Sequence, residues 1–505
     1  MKRFPSSRVA LTALLLVATG LPVMANELRI GLQDDPDVLD PDQSRTFAGR
    51  IVYTAVCDKL VDLSPDVEII PQLATDWEYS DDATSLVLNL RDDVVFHDGT
   101  PFNAEAVIYN INRSLTLPES RRKSELASVD TVTATGPYQV TIALKSPDAS
   151  LLAQFADRAG MMFSPAAAEE AGADLGNKLV CSGPFTFVER IQQDRIVVEK
   201  FADYWNADAI KIDRVVYLPI PDSTVRLANL QSGELDLASR LAPTDIPAIR
   251  ADADLTEHVV TGLGYGALYM NVANGPRSET PIGQDKRVRQ AFSKAIDRAA
   301  LSQIIYEGTA SPGNQAFPPN SPWYNKNFPV EERDVEGAKA LLAEAGIDRL
   351  EVQLQHPNTP IMSQMMQVVQ AMVAEAGFDV RLQALEFATQ LAEQSAGNYE
   401  VSRTNWSGRA DPDGSIHQFV TCEGGINDTG YCNEEVDNLL NAARTLGNPA
   451  KRKELYDQAT AILIDELPVI YLVHESYITA HDAGVTGFVP YPDGMIRLEN
   501  VTDAD

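Results

Sequence analysis

Apolar side chains fall on every second residue at Leu86, Leu88 and Leu90, and again at Val140, Ile142 and Leu144. That is the period of a strand with one buried face. A helical period takes over at residues 285–308. There Asp285 serves as a cap, Val288, Phe292, Ala295, Ile296 and Ala299 share one face, and Gly308 ends the helix. Two consecutive units then repeat one plan. Asp334 opens a helix that turns Ala338, Leu341, Leu342 and Ala345 inward, Gly346 closes it, and residues 350–354 read as a strand. Residues 361–376 form a second apolar-faced helix, Gly377 closes it, and residues 380–385 read as the next strand. Helix, glycine, strand, twice over, predicts an α/β lobe with its sheet covered by helices. The region before residue 280 is richer in strand patterns and predicts a lobe of different character.

The first 25 residues follow another grammar. Lys2, Arg3 and Arg8 precede an apolar stretch, residues 9–18, and Val23 and Ala25 are small residues placed for cleavage before Asn26. This reads as a secretory signal, the stretch being too short to span a bilayer. With no cysteine at the cut, lipid attachment is not expected, and no later stretch approaches a membrane span. Removing the signal leaves 38 basic against 72 acidic side chains, a formal charge of −34. So acidic a surface is repelled by phosphate backbones and argues against a nucleic-acid partner. About 480 remaining residues exceed one hydrophobic core, so two or three lobes are expected. Four cysteines in an exported chain point to disulfides. Cys422 and Cys432 flank a glycine-rich step suited to a local bridge, which leaves Cys57 for Cys181. Free buried thiols are the alternative, and the lack of a CxxC pair disfavours zinc.

The run at residues 73–102, LATDWEYSDDATSLVLNLRDDVVFHDGTPF, closely resembles the signature of the bacterial solute-binding proteins of family 5, receptors that feed peptide, nickel and opine importers of the ATP-binding-cassette type. Further matches follow in the family's order: Ser182-Gly183-Pro184-Phe185, FADYW at 201–205, the stretch 212–238, YMN at 269–271, KRVRQAFSKAIDR at 286–298 and EVDNLL at 435–440. The resemblance implies a type-2 periplasmic-binding-protein fold, α/β in class, with two hinged lobes around a cleft and a small extra domain. The expected division is lobe I at 26–72, 183–282 and 482–505, the extra domain at 73–182, and lobe II at 283–481. The signature run then lies on the extra domain, where His97-Asp98-Gly99-Thr100-Pro101 reads as a tight turn.

Hinged capture needs groups on both lobes that satisfy the ligand's polar atoms once water is excluded. The segment 405–414, NWSGRADPDG, is similar to the family's cleft-lining region. Trp406 offers an apolar plane, Gly408 a close backbone approach, and Arg409, Asp411 and Asp413 offer charge. In peptide-binding relatives an aspartate three residues after the tryptophan receives the α-ammonium group, and this chain has Arg409 there. An ammonium about 4 Å from an arginine is disfavoured by roughly 4 kcal/mol at an effective dielectric near 20. A carboxylate in that place instead gains roughly 1.5–3 kcal/mol. The arginine expected for a peptide C-terminus is also missing, because Pro360 and Ile361 stand near its place. The expected ligand is therefore a small-molecule solute derived from amino acids and bearing a carboxylate, such as an opine, a modified peptide or a glutathione-like compound. Asp411 takes an amino group if the register slips by two. Tyr265 closes over the ligand or packs in a core, and Arg45, in the loop 45–50, is the further contact.

No G-x-S-x-G, H-E-x-x-H or phosphate-loop motif is present, so the sequence reads as a receptor and not an enzyme, with no cofactor. The six histidines are scattered. Only His417, near Asp411 and Asp413, invites a metal-chelate reading. That reading, a sugar receptor of the same family, and a chaperone or signalling receptor are the alternatives to transport. The transport reading implies a periplasmic monomer with permease and ATPase subunits as partners.

Overall fold

The computed structural model describes residues 26–503, so the signal reading of residues 1–25 lies outside the described residues. Three sheets organise the chain. The first orders its seven strands as Leu255–Thr261, Ser476–Asp482, Leu237–Ala238, Glu27–Leu32, Arg214–Pro219, Arg195–Lys200 and Phe185–Ile191. The second orders six as Ser311–Pro312, Val469–His474, Tyr265–Met270, Val401–Trp406, Leu350–Pro357 and Phe378–Leu385. A four-stranded sheet of Ala74–Tyr79, Ser85–Leu90, Gln139–Leu144 and Val129–Gly136 forms the extra domain, with the alternating leucines of Ser85–Leu90 on its buried face. The expected turn is present at Gly99, whose φ is 79°.

The paired helix-glycine-strand units appear as read. Asp334 caps Val335–Glu344 through the Gly337 N–H at 2.8 Å, and Gly346 (φ 76°) turns the chain into Leu350–Pro357. Pro360–Ala374 and Gly377 lead into Phe378–Leu385, which lies parallel beside it. The helix expected over 285–308 is instead two, Lys286–Lys294 and Arg298–Tyr306. The reason is a second cap: Asp297 accepts from the Ala300 N–H at 2.8 Å and starts a new helix. Arg298 then turns inward to the carbonyls of Gly313 and Tyr471, and Ala299 faces out.

The chain crosses between the two large sheets at 262–264 and at Glu475. Tyr265–Met270 pairs with Val401–Trp406 and Val469–His474, and Ser476–Asp482 pairs with Leu255–Thr261. These two short segments, near the expected boundaries at 282 and 481, bond to each other through Gly262 N–H and the Glu475 carbonyl at 3.1 Å. Both cysteine pairs are joined, Cys57 to Cys181 and Cys422 to Cys432. The first ties the opening helix of lobe I, Phe47–Val56, to the end of the extra domain.

Candidate functional site

The carboxyl ends of parallel strands are where open α/β sheets build sites, because loops and helix starts converge there. In lobe I, Glu27–Leu32 lies parallel to Leu237–Ala238 with Gly31 opposite Ala238. Gln33 and Asp34 leave the first strand, and Arg240 leaves the second just after it ends. In lobe II, Leu350–Pro357 lies parallel to both Phe378–Leu385 and Val401–Trp406. Pro357, Phe387, Asn405 and Trp406 stand at those three ends. The two sets face each other across a chamber also lined by Arg45, Phe47 and Met362. A second space adjoins it at Arg240 and Asn405 and reaches Pro360 and Ile361.

Asp34 accepts no hydrogen bond from any described residue, and burial pushes its carboxyl up to about 6 against the pull of Arg240 and Arg226. Arg240 holds a left-handed backbone (φ 51°), steadied by Arg226, which donates to its carbonyl at 2.7 Å. A non-glycine residue in that region is strained and marks a position fixed by its surroundings. One Arg240 nitrogen donates to Glu475 at 3.1 Å, and the guanidinium stacks on Phe47. Its other donors meet no described acceptor. Glu475, at the crossover, also takes bonds from Tyr306, Arg403 and Asn405, so the Arg240 anchor is braced by the hinge.

The lobes and the extra domain are latched together around this space. Arg45 reaches across to Asp428 at 2.7 Å and to Ser395. Arg50 donates to Ser407 at 2.7 Å, and Ala149 N–H donates to the Arg444 carbonyl at 2.7 Å.

Of the residues singled out in the sequence, Trp406 and Arg45 line the chamber. The Trp406 indole N–H has no partner among the described residues. Arg409 is placed differently. It is 7% exposed, lies behind the indole with its guanidinium carbon 4.1 Å from the ring centre, and meets Asp157 of the extra domain at 3.0 Å. It is absent from the chamber wall, and burial pushes it down to about 10. Asp157, although burial opposes its ionisation, is held well below the usual carboxylate range by Arg409, Arg50 and Arg158. Asp411 is engaged by Arg452 at 2.7 and 2.8 Å, and Asp413 by Arg444 at 2.7 Å twice, so neither is free for an amine. Gly408 (φ 76°) does allow a close approach, but to Leu263 at the crossover, whose carbonyl carbon a Cβ would meet at 2.2 Å. Tyr265 is 2% exposed, packs edge-on against Tyr471 and donates to the Ser415 carbonyl. It borders a small space that shares Arg240, Asn405 and Trp406 with the chamber. His417 bonds Asn441 at 2.8 Å, and among the described residues no group of three or more His, Cys, Asp or Glu is placed to hold a metal.

Asp34 and Arg240 were missed by sequence reasoning. The available signal was positional: each follows the end of a short apolar strand, IGL and DLA, at the start of a loop.

The family model described as bacterial extracellular solute-binding proteins, family 5 (middle part), matches residues 68–427. The chain is 27% identical to the dipeptide-binding protein of Escherichia coli K12, with 97% of each covered. It is also 27% identical to the glutathione-binding protein GsiB of the same strain, covering 99% of this chain and 98% of that one. Among solved structures, the binding protein AgaA of A. tumefaciens R10 in complex with agropinic acid matches with a TM-score of 0.85 and 26% identity, over 94% of this chain and 98% of that one.

Proposed function

The chain belongs to the bacterial extracellular solute-binding proteins of family 5, and we propose that it captures a peptide-like or amino-acid-derived zwitterion between its lobes. The observation that carries this is the pairing of Asp34 and Arg240, opposite charges with unspent hydrogen-bonding atoms on one wall of an interlobe chamber. A ligand ammonium donates to Asp34, and a ligand carboxylate accepts from Arg240. The ligand's hydrocarbon lies against Trp406, Phe47, Phe387 and Met362. Charge-assisted bonds of this kind contribute roughly 1.5–3 kcal/mol each once water is excluded. Closure is needed because the polar anchors stand on lobe I and the apolar plane on lobe II.

Arg409 enters this reading as a brace that positions Trp406 and joins lobe II to the extra domain. The relatives named for dipeptide and glutathione bind solutes of the same chemical kind, which supports the reading. In cells the protein acts in the periplasm as a monomer, delivering its cargo to a permease and ATPase pair.

Calorimetry with Ala-Ala, N-acetyl-Ala-Ala and Ala-Ala amide tests the assignment. Blocking either terminus is expected to weaken binding at least tenfold. Equal affinity for all three overturns it.

A further inference from the structure

Beyond Trp406 the chamber adjoins a recess lined by Arg45, Arg122 and Arg158. The two spaces share Arg45, Phe387, Asn405 and Trp406 and so lie side by side. Arg122 and Arg158 are 1% and 2% exposed, and each keeps an Nε–H that meets no acceptor. Their remaining bonds are few: Arg122 donates to Glu125 at 2.6 Å, and Arg158 to the Ser44 carbonyl at 2.7 Å.

Buried guanidiniums are ordinarily matched by acids, because an uncompensated buried charge is costly. Around this recess the match is incomplete. Arg45, Arg122 and Arg158 line it, and Arg50, Arg121 and Arg409 stand within electrostatic reach of them. Among the described residues, only Asp428, Asp157 and Glu125 are in ion-pair contact with them. Asp157 alone serves Arg50 at 2.6 Å, Arg409 at 3.0 Å and Arg158 at 3.7 Å. Burial and the neighbouring Arg122 charge push the Arg158 guanidinium well below its ordinary range. A chain with a formal charge of −31 thus concentrates cations around one recess.

We propose that the recess is a second anion subsite, taking a carboxylate at the far end of a ligand whose ammonium sits at Asp34. The preferred cargo is then an amino-acid derivative with two acid groups, one near Arg240 and one among Arg45, Arg122 and Arg158. This rests on the zwitterion reading and narrows it.

Isosteric pairs separate the two claims. Calorimetry on the full mature chain would compare Ala-Glu with Ala-Gln, and Ala-Asp with Ala-Asn. The acid member of at least one pair is expected to bind tenfold tighter or more, and Arg158→Met or Arg122→Met is expected to bring that ratio towards one. Equal affinity within both pairs in the wild type overturns the recess and leaves the zwitterion reading standing. No binding by any of the four overturns both. If neither variant folds, the wild-type ratio alone decides.

Discussion

Replacing Asp34 with asparagine separates what this side chain does for the ligand from what it costs the fold. The carboxyl is pushed up to about 6 by burial, from an ordinary value near 3.8. The shift corresponds to about 3 kcal/mol at neutral pH, at 1.36 kcal/mol per unit. The sign follows from linkage. Because the folded-state value is raised, the charged form is penalised in the fold. The cost is fully present above pH 6 and fades as the pH falls towards 4. Asp34→Asn removes that cost, and for a chain of this length about 3 kcal/mol corresponds to a rise in Tm of about 3 °C. The ligand side runs the other way. Losing one charge-assisted bond of roughly 1.5–3 kcal/mol weakens binding about 10- to 150-fold. Wild-type affinity should also fall as the pH drops below 6, by up to about tenfold per pH unit, and the variant should lose that dependence. Scanning calorimetry without ligand and titration calorimetry between pH 5 and 8 measure both effects. A variant that melts lower and binds as well as the wild type refutes the reasoning.

Three further variants probe the surrounding frame. Arg409→Ala removes a contact between lobe II and the extra domain, not a ligand bond. All ligands should weaken by a common factor of about five, from roughly 1 kcal/mol, and a loss confined to carboxylate-bearing ligands would make Arg409 an anchor after all. Gly408→Ala places a Cβ 2.2 Å from the Leu263 carbonyl carbon at a φ of 76°. It should cost about 1–3 kcal/mol in strain alone, read as a lowered Tm, and an unchanged melt would mean the crossover packs differently. Replacing Cys57 and Cys181 by serine opens a loop of 124 residues' separation. Loop-closure entropy puts the loss near 5 kcal/mol, and an identical melt under reducing conditions and in the double variant is the consistency check.

The local plan of lobe II was readable because caps and terminal glycines act over three or four residues. Asp334, Gly346 and Gly377 stand where their own neighbours require them. The break at Asp297 was hidden because Ala295 and Ile296 continue the apolar stripe across it. The site was harder to read, since a functional charge is defined by the partner it lacks. Asp34 sits in an acidic run with Asp35, Asp37, Asp40 and Asp42. The fold gives Asp35 to Arg190, Asp37 to Ser44 and Thr46, and Asp40 and Asp42 to Arg113. Only Asp34 is left facing the chamber without a bond. Arg409 shows the converse. Its neighbours in sequence suggested a ligand contact, and its charge is taken by Asp157, a residue of another domain. Likewise Asp411 and Asp413 are occupied by Arg452 and Arg444 from later helices.

Mass spectrometry of the molecule released on denaturing protein purified from the cells that make it tests the central claim most directly. The account predicts a small compound with an amine and at least one carboxylate, whose rebinding is lost in Asp34→Asn. A cargo with no amine, such as a neutral sugar, bound equally by wild type and variant, would contradict it.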